Sequence, residues 1–187
     1  MADSKTSLRR ILLERRDCTS GDLLNIAAEK IRIKLEGINA YRNAEKTGLY
    51  YSIGSEIPTL GIIRWILGSG KQVCLPRILG KDLEFHEIHD ISDLEMGSFD
   101  IMEPKERCPI ANPPDVVLVP SVGMSPNGAR IGYGHGFYDR FLGKNKTVTI
   151  SLVLEKQIVR NIPQSEYDQR IDWIVTEDKI YNSSHNR

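Results

Sequence analysis

The fold of this chain is decided by one stretch, Val116-Val117-Leu118-Val119-Pro120, followed after five residues by Pro126-Asn127-Gly128-Ala129-Arg130-Ile131-Gly132-Tyr133-Gly134-His135-Gly136-Phe137-Tyr138-Asp139-Arg140. The short apolar run that ends at a proline predicts a buried strand, and the apolar periodicity of residues 136–142 predicts a helix. Glycines at alternate positions between them predict a loop whose backbone N–H groups turn toward one point, because no Cβ hinders a positive φ. Strand, loop and helix in this order indicate an α/β fold.

Residues 132–136, here called the glycine loop, have the chemistry of a phosphate site. At a helix start their N–H groups add to the positive end of the helix dipole. Arg130 can pair with phosphate oxygens, and Asp139 can hold a metal ion on the other side. The loop is not a Walker A motif, because Phe137 stands where lysine is needed, and not a dinucleotide loop, because only His135 separates its last two glycines. The alternative is a flexible hairpin or tight turn without a ligand.

The remaining periodicities predict strands that alternate with helices. Predicted helices begin at Ser4, at Thr19 or Ser20, and at Pro58, and end near Arg16, at Gly37, and at Gly68 or Gly70. A loop is predicted over 102–114 and a disordered tail over 182–187. This alternation predicts one domain over 1–187 with a mostly parallel sheet. The predicted strands are 48–52, 72–77, 83–88, 116–122, 147–154 and 172–176.

Composition excludes several classes of protein. The 187 residues are 40% hydrophobic and 27% charged, with a formal net charge of zero, so we expect no partner among nucleic acids or anionic membranes. Three cysteines, widely spaced and without metal-ligand spacing, are typical of a reducing compartment. The amino-terminal residues lack a secretory apolar region, and no run is long enough to span a membrane. We therefore expect a cytoplasmic monomer.

The glycine loop and its flanks resemble the signature of the 5-formyltetrahydrofolate cyclo-ligase family, also called 5,10-methenyltetrahydrofolate synthetase. Six further segments match the family in its order. The resemblance implies a three-layer α/β/α sandwich with a mostly parallel sheet, related to the ribose-phosphate-isomerase and CoA-transferase group. These segments are Lys5–Arg9, Ser55–Thr59, Gly70–Arg77, Gly97–Pro104 and, near the end, Gln157–Val159 with Asp172–Glu177.

The resemblance also implies a reaction. It is the ATP- and Mg²⁺-dependent cyclisation of 5-formyltetrahydrofolate to 5,10-methenyltetrahydrofolate, with release of ADP and phosphate. Phosphorylation turns the formyl oxygen into a leaving group, and N10 then attacks the activated carbon. The protein must position the γ-phosphate and neutralise charge, and needs no side-chain nucleophile. The sequence contains no serine, cysteine or histidine triad, which agrees with this chemistry.

The resemblance implies the residues that bind the nucleotide. On the amino-terminal helix, a solvated basic face is the alternative for Lys5 and Arg9, because Arg10, Arg15 and Arg16 lie nearby. His135 either touches a phosphate or occupies a permissive loop position. The implied ATP-binding residues are Lys5, Arg9, Arg130, Gly132, Tyr133, Gly134, His135, Gly136, Phe137 and Tyr138.

Asp139 and Asp172 are implied as the Mg²⁺ ligands, in keeping with a hard ion that takes one or two carboxylates besides phosphates. The alternatives for Asp139 are helix capping or a pair with Arg140, and the alternative for Asp172 is an ordinary acid at a strand start. Core packing is the alternative for two of the aromatic residues on the folate side, Tyr51 and Phe99. The implied substrate-binding residues are Tyr51, Glu56, Arg77, Phe99 and Tyr138.

The chain departs from the family pattern beside the glycine loop. Gly123-Met124-Ser125 replaces Ala-Phe-Asp, which predicts the loss of an acid and an aromatic ring next to the substrate pocket. A second hypothesis is therefore a non-catalytic relative that binds folate or nucleotide on the same fold. A third is a sugar-phosphate isomerase or acyl-transfer enzyme of the same architecture, which would leave the basic amino-terminal helix unexplained.

Overall fold

The structure, a computed structural model, describes residues 4–111 and 113–183. Three short 3₁₀ helices, Ile91–Asp93, Ser98–Asp100 and Glu155–Gln157, lie in the connections. The other elements, in chain order, are α1 (Lys5–Asp17), α2 (Gly21–Leu35), α3 (Asn39–Asn43), β1 (Lys46–Gly48), α4 (Leu60–Gly68), β2 (Gln72–Leu79), β3 (Asp82–Ile88), β4 (Leu94–Met96), β5 (Met102–Pro104), β6 (Val116–Val119), β7 (Gly123–Met124), β8 (Arg130–Ile131), α5 (Phe137–Lys144), β9 (Val148–Leu152), β10 (Trp173–Val175) and β11 (Ile180–Asn182).

A seven-stranded sheet in the order β11-β10-β9-β6-β1-β2-β3 forms the centre of the fold. The five inner strands pair in parallel, and the two edge strands, β3 and β11, are antiparallel to their neighbours. The predicted mostly parallel sheet is confirmed, and β6 is its middle strand. All four residues of β6 are buried, as expected of a parallel strand covered on both faces.

Alternate residues of the inner strands face two different helix layers, so the sheet lies between them. Val116 and Leu118 belong to the hydrophobic cluster that includes α2 and α4. Val117 and Val119 belong to the opposite cluster, to which α5 contributes Phe141. This alternation gives the predicted three-layer α/β/α sandwich. Kinship with the ribose-phosphate-isomerase and CoA-transferase group stays a prediction.

Helix α1 packs at one end of this sandwich, against the hairpin β7-β8. Ser4 caps it, with its hydroxyl accepting a hydrogen bond from the Ser7 N–H, as the sequence predicts. Its Leu12 is fully buried among Val122, Ala129 and Ile131. A Cβ at Gly123 would lie 2.3 Å from Leu12 Cδ1, so α1 approaches the hairpin this closely because residue 123 has no side chain.

Three sequence predictions need correction. The first strand is Lys46–Gly48 and not 48–52, because the chain turns out of the sheet soon after Gly48, which is the last residue of β1 paired with β2. The segment 102–114 is not only a surface loop. It contains β5, which pairs with β4 and buries Glu103, so its charged composition misleads. Asn182 ends strand β11, and Ser183 is buried with its N–H bonded to the Asp172 carbonyl, so the predicted disordered tail does not include them. Residues 184–187 lie outside the described residues.

Within the described ranges, no helix combines the length and the apolar character needed to cross a bilayer.

Candidate active site

A cavity of about 480 Å³ opens where β1 and β6 end. The chain leaving β1 contributes Tyr50 and Tyr51 to its wall, and Pro120 follows β6 directly. This is the edge of a parallel sheet at which the sequence predicts ligand binding. Fourteen predicted site residues line the cavity together: Lys5, Arg9, Tyr51, Glu56, Phe99, Arg130, the five residues of the glycine loop, Phe137, Tyr138 and Asp139.

The glycine loop runs from β8 to α5 with its backbone donors free. Gly134 has φ of +104° and Gly136 of +69°, a region that only glycine occupies without strain. Within residues 4–111 and 113–183, no acceptor receives a hydrogen bond from the backbone N–H groups of residues 132–139. Residues 132–139 line the cavity, so these donors and the amino end of α5 provide the hydrogen-bond donors and the dipole that an anion needs.

Two arginines bracket this loop. Arg9 on α1 donates from Nε to the Gly132 carbonyl at 2.7 Å. Arg130, whose side chain is only 7% exposed, donates from Nη2 to Asp139 Oδ2 at 2.8 Å and from Nη1 to the Pro120 carbonyl at 3.1 Å. Asp139 therefore pairs with Arg130, and the alternative pairing with Arg140 is wrong. Both guanidinium groups line the cavity and leave donors for phosphate oxygens.

Lys5 forms an ion pair with Asp168, which lies in the long connection between β9 and β10. Both residues line the cavity. Burial acts to raise the pKa of Asp168, but hydrogen bonds from the Lys5 ammonium and from Ser165 outweigh it, so this pKa is lowered. The solvated basic face considered for Lys5 and Arg9 does not describe them, since each contacts a partner far away in the sequence.

Glu56 is one of two buried acids that line the cavity, the other being Glu103, and each has 5% of its surface exposed. Its Oε1 accepts a hydrogen bond from the Tyr133 hydroxyl at 2.5 Å, and its Oε2 accepts from the Ile53 N–H at 2.8 Å. Burial raises the pKa of Glu56, while these two hydrogen bonds and the Arg16 charge oppose that rise. Burial also raises the pKa of Tyr138, which faces the same carboxyl group.

Aromatic rings close the mouth of the cavity. Phe99 is 61% exposed, so the core-packing alternative is wrong for it. Its ring centroid lies 5.1 Å from that of His135 and 6.3 Å from that of Phe137. Phe99 and Asp100 both have φ of 57°, an uncommon conformation for residues with a side chain, and it aims this ring at the glycine loop.

The two predicted metal ligands are not brought together. Asp139 lies at the cavity, where a Mg²⁺ ion held mainly by phosphate oxygens needs only one or two protein carboxylates, so this residue fits such an ion. Asp172 lies at the amino-terminal ends of β9 and β10, and its Oδ2 accepts from both the N–H and the hydroxyl of Thr149. It does not line the cavity. Among the residues that the structure describes, no three acids, histidines or cysteines cluster as a metal site.

Two other predicted positions also point elsewhere. Pro76 and Ile78 line the cavity, so Arg77 between them faces the opposite side of β2, where it donates to the Pro104 carbonyl and pairs with Glu95. Ser125 is buried in the β7-β8 turn and bonded to Asn127. The replacement of the family's acid therefore lies in that turn and not in the wall of the cavity.

The sequence predictions missed several residues of the site. Asp168 lies in a stretch with no periodicity, and Tyr50 was taken for a strand residue. Arg16 is buried and reaches the Tyr133 hydroxyl, with 2.9 Å between Nη1 and the oxygen. Its spacing of seven from Arg9 places both on one face of α1, and that signal could have identified it.

The fold and the site together define an α/β protein in which a glycine loop, two arginines and a buried acid line one cavity. A model of the 5-formyltetrahydrofolate cyclo-ligase family matches residues 1–177. The 5-formyltetrahydrofolate cyclo-ligase of Escherichia coli K12 is 30% identical, over 74% of this chain and 81% of that protein. The Saccharomyces cerevisiae enzyme of the same name is 28% identical, over 94% and 96%.

Solved structures agree with the sequence comparisons. The NMR structure of Aquifex aeolicus 5,10-methenyltetrahydrofolate synthetase superposes with a TM-score of 0.88 and 28% identity, covering 98% of this chain and 94% of that one. The chain belongs to the 5-formyltetrahydrofolate cyclo-ligase family, and it is a ligase.

Proposed function

We propose that the protein converts 5-formyltetrahydrofolate to 5,10-methenyltetrahydrofolate at the expense of ATP, which leaves as ADP and phosphate. One observation carries the proposal: the free N–H groups of the glycine loop and the buried Glu56 open into the same cavity. A phosphate donor and a pterin held there would have their reacting groups side by side.

The phosphates are assigned to the glycine loop and its cations. The free N–H groups of residues 132–139 are hydrogen-bond donors for the β- and γ-phosphates, and the amino end of α5 adds its dipole. Arg9 and Arg130 lie on either side of the loop, and Lys5 can exchange Asp168 for a phosphate. Arg130 is fixed by its bonds to Asp139 and to the Pro120 carbonyl before the nucleotide arrives, so it can neutralise transition-state charge with little reorganisation.

The folate is assigned to the apolar half of the cavity. Glu56 is suited to accept hydrogen bonds from pterin N–H groups, and Tyr51 and Tyr138 supply walls for a flat ring. Phe99 stands at the mouth, where its exposed ring can cover a bound ring system. Arg77 faces away from this cavity, so its proposed substrate contact would require a folate tail that extends beyond the cavity.

The reaction needs two steps, a phosphoryl transfer and a ring closure. The formyl oxygen attacks the γ-phosphorus, the bond from phosphorus to the β-bridging oxygen breaks, and ADP leaves. N10 then attacks the activated formyl carbon, the carbon–oxygen bond breaks with departure of phosphate, and N10 loses its proton. Arg130 and the loop amides hold the negative charge that builds in both steps.

Mg²⁺ would neutralise phosphate charge and orient the triphosphate, and Asp139 is the residue that would hold it. Asp139 also keeps Arg130 in place through their ion pair, so it contributes to the phosphate site whether or not it holds Mg²⁺. The role of Asp172 as a second ligand stays a prediction. We also propose a cytoplasmic location, because the three cysteines are free, as is typical of a reducing compartment. A monomer stays a prediction.

The test is a turnover assay with purified protein, 5-formyltetrahydrofolate and Mg²⁺, followed by the near-ultraviolet absorbance of the methenyl product. Product formation that requires ATP supports the proposal. Folate binding without turnover at any ATP concentration would select the non-catalytic relative instead. Inactivity toward folates together with conversion of a sugar phosphate would select the isomerase.

A further inference from the structure

Tyr133 joins the two halves of the cavity. Its backbone belongs to the glycine loop, between Gly132 and Gly134, while its hydroxyl donates to Glu56 Oε1 at 2.5 Å. A movement of the glycine loop therefore moves the hydroxyl that is hydrogen-bonded to Glu56, the acid that we assign to the pterin. Within the described residues, no other side chain of the glycine loop makes a hydrogen bond to the folate half of the cavity.

Arg16 holds this hydroxyl from the other side. Its Nη1 donates to the Tyr133 oxygen at 2.9 Å, and its Nε donates to the Ser55 hydroxyl at 2.9 Å, one residue before Glu56. The Ser55 hydroxyl in turn bonds to Asp17. Arg16 is only 5% exposed, and a buried cation is retained only where its partners satisfy it. Of its two direct partners, Tyr133 lines the cavity and Ser55 directly precedes Glu56.

We propose that Tyr133 and Arg16 are positioning residues that couple the two substrate sites, so that nucleotide on the glycine loop raises the affinity of Glu56 for the folate. The inference rests on the proposed function, since it takes the loop as the phosphate site and Glu56 as the pterin acid. Coupling of binding is reciprocal, so folate must raise the affinity for nucleotide by the same factor.

The physical basis is the order that each ligand imposes on the loop. Two glycines with positive φ flank His135, and the loop N–H groups have no partner among the described residues. The loop backbone is held through its carbonyls alone, by Arg9 at Gly132 and by Arg140 at His135 and Gly136, so phosphates bound to its N–H groups add a second set of contacts. Phosphates bound to those donors fix the loop and with it the Tyr133 hydroxyl. The second ligand then binds a loop that is already ordered, so its binding loses less conformational entropy.

The same contacts act on the protonation of Glu56. The ionisable groups that face it are Arg16 on α1, Tyr133 in the loop, Tyr138 on α5 and Tyr50 after β1. Burial raises the pKa of Glu56, and the Tyr133 hydrogen bond and the Arg16 charge counter this rise. Loss of either contact therefore raises this pKa further, and the pH below which folate binding weakens moves upward.

The experiment is a double titration. Folate affinity is measured by calorimetry with and without a non-hydrolysable ATP analogue and Mg²⁺, for the wild type, Tyr133→Phe, Arg16→Gln and Arg16→Lys. Two controls remove the same groups elsewhere. Arg10→Gln lies on the outer face of α1, where Arg10 pairs only with Glu14, and Tyr167→Phe changes a tyrosine that is 75% exposed.

For the wild type we expect the analogue to raise folate affinity about tenfold, within the usual range of coupling between sites. Tyr133→Phe and Arg16→Gln should lose most of this factor and shift the pH profile of folate binding upward, and Arg16→Lys should retain part of it. The control variants should keep both the wild-type coupling factor and the wild-type pH profile of folate binding. Circular dichroism verifies that each variant is folded, and Tyr133→Phe keeps the inference testable if Arg16→Gln does not fold.

Wild-type coupling in a folded Tyr133→Phe variant would overturn the inference, as would a wild type that binds both ligands independently. Equal loss of both affinities with an unchanged ratio would also overturn it, because that is the signature of packing alone. Failure of the proposed function looks different: the wild type itself would then bind no folate or no nucleotide, or would bind both without forming the methenyl product.

Discussion

Replacement of Asp139 by asparagine tests how the phosphate side of the cavity works. The Arg130 side chain is 7% exposed and Asp139 is 22% exposed, and their ion pair spans 2.8 Å. Removal of one partner from a buried pair costs about 3–5 kcal/mol of unfolding free energy. Asparagine retains one acceptor, and Arg130 keeps its bond to the Pro120 carbonyl, so we expect a loss of about 2 kcal/mol.

The effect on turnover should be larger than the effect on stability. Without the carboxylate, Arg130 loses the contact that aims it at the phosphates, and Mg²⁺ loses the only carboxylate that we place beside it. Loss of one fixed electrostatic contact to a transition state typically lowers kcat by about 10²–10³-fold. Folate affinity without nucleotide should not change, because Glu56 has no contact with Asp139.

The assay follows methenyl product over a range of Mg²⁺ concentrations, and calorimetry measures folate binding in parallel. Asp178→Asn is the matched control, because Asp178 is exposed and its side chain makes no contact with the site. Near-wild-type turnover by Asp139→Asn, with the same Mg²⁺ dependence, would refute the reasoning. Loss of folate binding together with turnover would mean that the substitution disrupts the cavity as a whole.

Three other substitutions and one titration extend the test. Gly134→Ala places a side chain at φ of +104°, 3.6 Å from the Arg9 guanidinium; it should cost roughly 1–2 kcal/mol and weaken binding of an ATP analogue about tenfold in calorimetry. Glu56→Gln should weaken folate binding about tenfold or more, and it should leave the affinity for nucleotide in the absence of folate unchanged. Asp172→Ala removes two hydrogen bonds from Thr149 and should lower the free energy of unfolding in urea by about 1–3 kcal/mol, whereas an altered Mg²⁺ dependence would support its predicted role as a ligand. Folate binding should be full where Glu56 is ionised and should be lost as the pH falls through its raised pKa, which a series of titrations at different pH values would show.

The part of the fold around the glycine loop could be predicted because its signals are local. A continuous apolar run identifies β6 as a strand buried on both faces, and the glycines mark a turn that only they can make. The resemblance then places Lys5, Arg9 and Glu56 at the same cavity, and the structure brings them there.

Other parts depend on contacts that no local pattern reveals. Arg77 follows a motif residue in sequence, yet the alternation of a strand turns it away from the cavity that Pro76 lines. Asp168 meets Lys5 across most of the chain, in a connection without periodicity. Such pairs depend on how the layers of the fold pack against each other, and a local sequence pattern does not contain that information.

The first strand shows the same limit on a smaller scale. Residues 48–52 carry the apolar and aromatic side chains of a strand, but the paired segment ends at Gly48. Tyr50 and Tyr51 are apolar because they form the wall of the cavity. The wall of a cavity and a buried strand are both rich in apolar and aromatic residues, so composition alone does not distinguish them.

Backbone amide NMR can measure whether the free amides before Asp139 receive the phosphates of ATP, as we propose. On addition of a non-hydrolysable ATP analogue with Mg²⁺, we expect the largest amide shift changes on residues 132–139. Unchanged resonances in this segment, with shift changes elsewhere in the protein, would contradict this proposal.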